Sequence, residues 1–238
     1  MVDLSLGRAN FSGVVEQRIE SAWRVCSDLF GSAVGSELTA SAERLRDELM
    51  FCLLGGFGVS YELNRSVYHR IRIVAPFDGS WTDGALQERL IEELSKQQFE
   101  PAKSDGQPRR YRYPLRKADL LVRARRWLLA HDDLFIRLEA LESERERRCV
   151  LCQCPGIGPK TSSWILRNSG LATSLAILDV HVMRVLEAVG RLSDARLPRD
   201  YERAEDAFLM WCEELDAFPP AFDLFLWEWA RGSLGAGS

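Results

Sequence analysis

The chain has 238 residues, 46% of them hydrophobic, and a formal net charge of −4. That apolar content excludes wholesale disorder, and no apolar run approaches the roughly 18 residues a membrane span needs. The N-terminus lacks a basic-then-apolar signal pattern. An acidic total argues against a nucleic-acid partner, but the charge is unevenly spread. From Lys103 to Arg126 nine basic residues stand against two acidic ones, whereas Glu202 to Glu228 holds eight acids and one base. Such segregation implies a basic face and an acidic back. The six cysteines lie mostly within helical patterns, which suits reduced thiols in a cytoplasm. Cys149, Cys152 and Cys154 are close together, but no further Cys or His pair completes a zinc or iron–sulfur set, so no metal site is expected.

In chain order, Val15, Ile19, Ala22, Trp23 and Cys26 carry helical spacing across 14–30, broken by Gly31 and Gly35. Thr39 or Ser41 can cap a second helix through Leu45, Leu49, Met50 and Leu53. Gly55-Gly56-Phe57-Gly58 then interrupts an apolar segment and marks a break or a close backbone approach. A helix is expected over 61–71, a short strand over 71–75, and a helix from Thr82 or Asp83 to about Gln98. Residues 103–114 read as a loop whose Arg-Arg-Tyr-Arg-Tyr core interleaves cations with aromatics. That pattern suits phosphates and unstacked bases, with Arg109 and Arg112 as contacts to a nucleic-acid backbone. Helices follow over 116–130, 132–141 and 143–152, and two more over 201–215 and 221–231. No internal repeat is present, and the fold class is all-α, with about ten helices.

The chemistry concentrates in residues 154–184. Gly156-Ile157-Gly158, between Pro155 and Pro159, forms a tight turn that exposes consecutive backbone N–H groups, the arrangement that cradles a phosphate. Pro159 suits a first helical position, and Gly170 closes that helix near Asn168. Lys160 falls in the opening turn, where the macrodipole disfavours a cation by a few tenths to about 1 kcal/mol. It is either a solvated lysine in a poor position or an amine made more readily neutral and nucleophilic. Asp179 precedes the stripe Val182, Val185, Leu186 and Val189, so it sits where an N-cap would. Capping and catalysis are compatible there, because a helix N-terminus keeps a carboxylate ionised.

A helix, then PGIGPK, then a helix, then a loop ending in LDVH resembles the helix-hairpin-helix DNA glycosylases with a Gly/Pro-rich loop and an aspartate (HhH-GPD). Lys160 follows the hairpin, Asp179 lies 19 residues further on, and His181 completes the tripeptide, as in the bifunctional 8-oxoguanine DNA glycosylase/lyases. The close match covers about 40 residues, and the YRYPLRKADLL segment fits more loosely. The resemblance implies a two-lobed all-α fold with the active-site cleft between lobes. One lobe would comprise residues 1–75 plus 195–238, the other 76–194 with the hairpin at 154–160. It also implies base-excision repair with AP lyase activity on an oxidised purine, foremost 8-oxoguanine. Lys160 would attack the deoxyribose C1′, and Asp179 would stabilise positive charge developing on the sugar. Gly156, Ile157, Gly158 and His181 would grip the DNA backbone. Trp164, one turn after Lys160, would stack on a flipped base, and the last helix would bring Phe222, Asp223 and Trp227 to the opposite wall. No cofactor is required by this reading, although such hairpins often hold a monovalent cation on their carbonyls. The implied partner is double-stranded DNA with a damaged base, met by a monomer in a bacterial-type, nucleoid-associated cytoplasmic setting without a membrane.

Two features depart from the family pattern. Relatives commonly fill the hole left by the flipped base with a Gln or Asn, where the LLGGF run aligns Phe57 as an apolar wedge. Some compact members use a C-terminal lysine, whereas this chain ends in Gly-Ser. Two alternatives therefore stand beside the repair enzyme. One is the same scaffold redirected to another modified base or conjugate, for example in an antiviral defence operon. The other is a non-catalytic DNA-binding hairpin module.

Overall fold

The computed structural model of the chain describes residues 4–34, 38–56 and 58–232. Side-chain caps set most of the early helix starts. After α1 (Leu4–Val34), Ser41 accepts from Arg44 N to open α2 (Ala42–Leu54), and Ser60 accepts from Leu63 N to open α3 (Tyr61–Val74). Thr82 does the same for α4 (Asp83–Ser95). The Ile71–Ala75 run, expected as a strand, instead completes α3: Ile71 and Val74 are buried at i, i+3, and Ala75 ends the helix with φ of 50°. The next helix stops at Ser95 rather than Gln98, because Gln97–Phe99 (β1) pairs antiparallel with Arg109–Arg110 (β2). Then come α5 (Pro114–Leu129), α6 (Leu134–Ala140) and α7 (Glu144–Leu151). The chain finishes with α8 (Pro159–Asn168), α9 (Val180–Ala188), α10 (Tyr201–Glu214) and α11 (Pro219–Ala230). With eleven helices and one two-stranded pairing among the described residues, the fold is all-α.

The chain divides into two compact units, residues 39–171 and the described residues of 1–38 with 172–238. The expected boundaries after 75 and 194 differ from this division, and packing gives the reason. Helix α2 packs on α3, α5 and α8, so residues 39–75 belong with the hairpin. Helix α9 packs on α10 and α11, so Asp179 falls in the other unit from Lys160.

In the unit formed by the chain ends, Trp23 of α1 meets Phe222 and Phe225 of α11 edge-on, at centroid distances of 5.1 and 5.4 Å. Phe208 and Trp211 of α10 close around Phe222. At its rim Arg191 binds Glu16 at 2.5 Å, pairs with Glu214, and lies 4.8 Å over the Trp211 ring. In the 39–171 unit the Glu93 carboxylate is buried and meets Arg70 at 2.7 Å, Lys96 at 2.7 Å and Arg89 at 2.9 Å. Buried Arg125 reaches back from α5 to Asp83 and to the carbonyls of Asp78 and Gly79, fixing the turn before α4. Among the described residues no helix is long and apolar enough to cross a membrane, and all six cysteines are free thiols.

Candidate active site

The turn between α7 and α8 is dictated by one glycine. Gly156 has φ of +86°, and a Cβ there would lie 2.6 Å from Cδ1 of Leu120 on α5. The turn closes when Ile157 N–H donates to Cys154 O at 3.1 Å, with the Ile157 side chain buried. That bond corrects the expectation for Ile157, whose N–H is spent inside the turn and is not offered to a phosphate. Gly158 is the N-cap residue of α8, its carbonyl accepting from Ser162 N at 2.9 Å, and no side chain caps the helix. The first-turn N–H groups at 160 and 161 therefore have no intrahelical partner and face outward with the positive end of the helix dipole.

Lys160 is exposed on this first turn, and Trp164 and Asn168 follow on the same face. That face lies against α2, where Asn168 Nδ2 donates to Glu48 Oε2 at 3.2 Å. The Trp164 indole Nε1 is buried without a full hydrogen bond, yet lies near enough to the Glu48 carboxylate to favour its charged form. Burial acts in the opposite sense and wins, so the Glu48 carboxyl sits above its ordinary value. One turn along α2, burial pushes the Cys52 thiol far up; Glu48 adds to the shift, while the charges of Lys160 and Lys117 oppose it. The Lys160 charge thus acts on a thiol that burial keeps un-ionised.

Asp179 has extended backbone, with φ of −96° and ψ of −179°, and caps α9. Its Oδ1 accepts from His181 N at 2.7 Å and from Val182 N at 3.0 Å. Both bonds run to one oxygen, so capping occupies half of the carboxylate. The His181 N–H is consumed by this cap, so any contact of His181 with a DNA backbone would fall to its side chain.

The remaining expected residues scatter. Arg109 is exposed on β2 and donates to Pro101 O at 2.8 Å. Arg112 lies against Gly58, which has positive φ, and 5.2 Å over the Tyr113 ring. Phe57 lies outside the described residues. Phe222 is fully buried among Trp23, Phe208, Trp211 and Phe225, so it belongs to an aromatic core instead of a pocket wall. Asp223 is buried and accepts from Ile177 N at 2.9 Å. Trp227 is half-buried beneath Arg231, 4.2 Å from its ring.

The basic segment is less free than its charge suggests. Arg123 pairs with Asp119, Arg126 with Asp83, and Arg125 is internal. Lys117 donates to the carbonyls of Leu53 and Gly55, and the Tyr111 hydroxyl donates to Leu54 O. Together they fix the end of α2 ahead of the 55–58 loop. Burial pulls the Lys117 ammonium down to about 8, with Arg116 adding to the shift, while these helix-end carbonyls favour its charged form. The spacing of Tyr111 and Lys117 in sequence carries no sign of this, since their acceptors lie some sixty residues away.

The family model for 8-oxoguanine DNA glycosylases matches residues 82–217, which span the turn, Lys160 and Asp179. An 8-oxoguanine DNA glycosylase/AP lyase of Thermotoga maritima is 30% identical over 129 residues, covering 52% of this chain and 59% of the relative. The chain thus matches about three-fifths of that relative's length. A Thermoplasma acidophilum protein of the same name is 27% identical over 195 residues, covering 82% and 84%. The 8-oxoguanine DNA glycosylase of Methanocaldococcus jannaschii shares the fold at a TM-score of 0.64 and 23% identity, over 91% of this chain and 93% of its own. The same archaeal protein has been solved with a 15mer DNA containing 8-oxoguanine, matching at a TM-score of 0.57 and 22% identity over 92% and 90%. The glycine turn, the lysine behind it and the capping aspartate all fall inside the matched region, and the chain belongs to the 8-oxoguanine DNA glycosylase family.

Proposed function

We propose that this protein is a bifunctional DNA glycosylase/AP lyase that removes 8-oxoguanine from double-stranded DNA. The observation that carries the reading is an exposed Lys160 on an uncapped helix start, followed in the chain by an Asp179 that caps the next helix through a single oxygen. In this reading the outward N–H groups of the first turn of α8, with those of Gly156 and Gly158, hold a backbone phosphate. Arg109 and Arg112 supply further charge to the strand. Trp164 offers a ring to the displaced base, and Trp227 does so from α11.

The neutral Lys160 amine attacks C1′ as the glycosidic bond breaks, and the bonding electrons leave with the base, which takes up a proton. Asp179 stabilises the positive charge that builds on the sugar. The C1′-bound amine gives up one proton, and its lone pair forms a protonated Schiff base as the C1′–O4′ bond breaks and O4′ takes up a proton. Removal of a C2′ proton expels the 3′ phosphate and cuts the strand. The DNA-bound archaeal structure and the glycosylase/lyase names of the Thermotoga and Thermoplasma relatives support the same substrate and outcome.

The test is product analysis on a duplex carrying one 8-oxoguanine opposite cytosine. Free 8-oxoguanine and a nicked strand are expected together, with no release of guanine from the undamaged duplex. Tight DNA binding without either product would replace the enzyme by a hairpin binding module.

A further inference from the structure

The segment ahead of Asp179 poses a problem of backbone satisfaction. Leu175, Ala176 and Leu178 are buried, yet residues 175–179 lie in no helix or strand, so their polar groups need partners from outside the ladder of regular structure. Three side chains of α10 and α11 supply them. Glu205 Oε1 accepts from Ala176 N at 3.3 Å, and Asp223 Oδ2 accepts from Ile177 N at 2.9 Å. The Tyr201 hydroxyl accepts from Leu178 N at 3.3 Å and donates to Ala176 O at 2.8 Å. Three successive amides are thereby held by three side chains, each no more than 5% exposed. The next residue is Asp179, whose own Oδ1 is fixed by the start of α9.

Burying carboxylates is costly, and here both satisfy amides of the backbone that leads directly into Asp179. What they achieve here is a rigid approach to one residue. We propose that Tyr201, Glu205 and Asp223 are positioning residues for Asp179: they hold the 176–178 backbone so that its free carboxylate oxygen stays aimed at the reacting sugar. The inference rests on the role assigned to Asp179 above. It also gives Asp223 a place other than the base pocket, as a backbone anchor.

The proposal separates cleanly from a merely structural role. In single-turnover excision from the 8-oxoguanine duplex, Tyr201→Phe, which leaves Leu178 N–H and Ala176 O without their hydroxyl, is expected to slow base release by roughly 100-fold. Affinity for a duplex with a tetrahydrofuran abasic analogue should change by less than about twofold, since these side chains do not touch DNA in this account. Combined with Asp179→Asn, Tyr201→Phe should add almost no further loss, because both act through one carboxylate. Glu205→Ala should lose rate similarly, and Glu205→Gln, which keeps an acceptor for Ala176 N–H, should restore most of it; this pair serves equally if Tyr201→Phe fails to fold. Independent, additive losses in the double variant, or a failure of Gln to restore what Ala removes, would overturn the cradle while leaving the glycosylase reading intact. A wild-type protein that releases no base would overturn both.

Discussion

Helices α8 and α9 each begin at a candidate functional residue, and they begin in opposite ways. The start of α8 is open: a positive-φ glycine makes the turn, no side chain caps it, and Lys160 projects from it exposed. The start of α9 is closed: Asp179 is consumed as cap on one oxygen, and the backbone ahead of it is held by Tyr201, Glu205 and Asp223. The two demands differ in kind. A nucleophile must travel with the sugar through attack, Schiff base and elimination, so a free stem on an open helix end serves it. A carboxylate that stabilises developing charge must already be in place, because reorganising it during reaction would cost the energy it is meant to supply.

The largest test of this contrast is Asp179→Asn. Asparagine caps a helix about as well, so thermal stability should hold while base excision falls roughly 1,000-fold. A loss below tenfold would mean that Asp179 is a cap and nothing more. On the open side, Gly156→Ala places a methyl group against Leu120 at a φ that side chains avoid. Urea unfolding should show a loss of about 2 to 3 kcal/mol, part of it recovered by adding Leu120→Ala.

A control that belongs to neither helix start sharpens the comparison. Burial raises the Glu93 carboxyl, but hydrogen bonds from Lys96, Arg70 and Gln98 outweigh it and hold the group down at about 2. A depressed carboxyl contributes stability that is present above its unfolded value near 4.5 and is lost as pH falls toward 2. Glu93→Gln should therefore cost about 2 kcal/mol at pH 7, flatten the acid limb, and leave the excision rate per folded molecule unchanged. The smallest effect is expected where α2 meets the Trp164 and Asn168 face of α8. The Glu48 carboxyl is raised by burial, so its contribution to stability falls as pH rises past the unfolded value near 4.5. Glu48→Gln keeps an acceptor for Asn168 and removes that burden. A gain under about 1 kcal/mol at pH 7, vanishing in acid, is expected in the same unfolding assay.

Both helix starts were legible as sequence because their signals are local. Glycine and proline punctuate the turn, and an aspartate ahead of an apolar stripe marks a cap. Relations that join distant positions were not. The Tyr201 hydroxyl meets residues 176 and 178, and Lys117 meets 53 and 55; in sequence each reads as an ordinary helix residue. Phe222 was misread for the same reason, since the α11 run is apolar on every side and periodicity cannot say which ring faces the core. The 71–75 run failed for a different one: its β-branched residues favour a strand locally, but Ile71 and Val74 continue the buried face of α3, and packing overrode propensity. Of the nine basic residues over 103–126, composition could not tell that Arg125 is an internal anchor and Lys117 a half-buried one.

The central claim, that Lys160 is the nucleophile, is tested most directly by borohydride trapping on the 8-oxoguanine duplex. The wild-type chain should form a covalent protein–DNA adduct, and Lys160→Gln, with unchanged thermal stability and DNA affinity, should form none. An adduct of undiminished yield with Lys160→Gln would contradict the account.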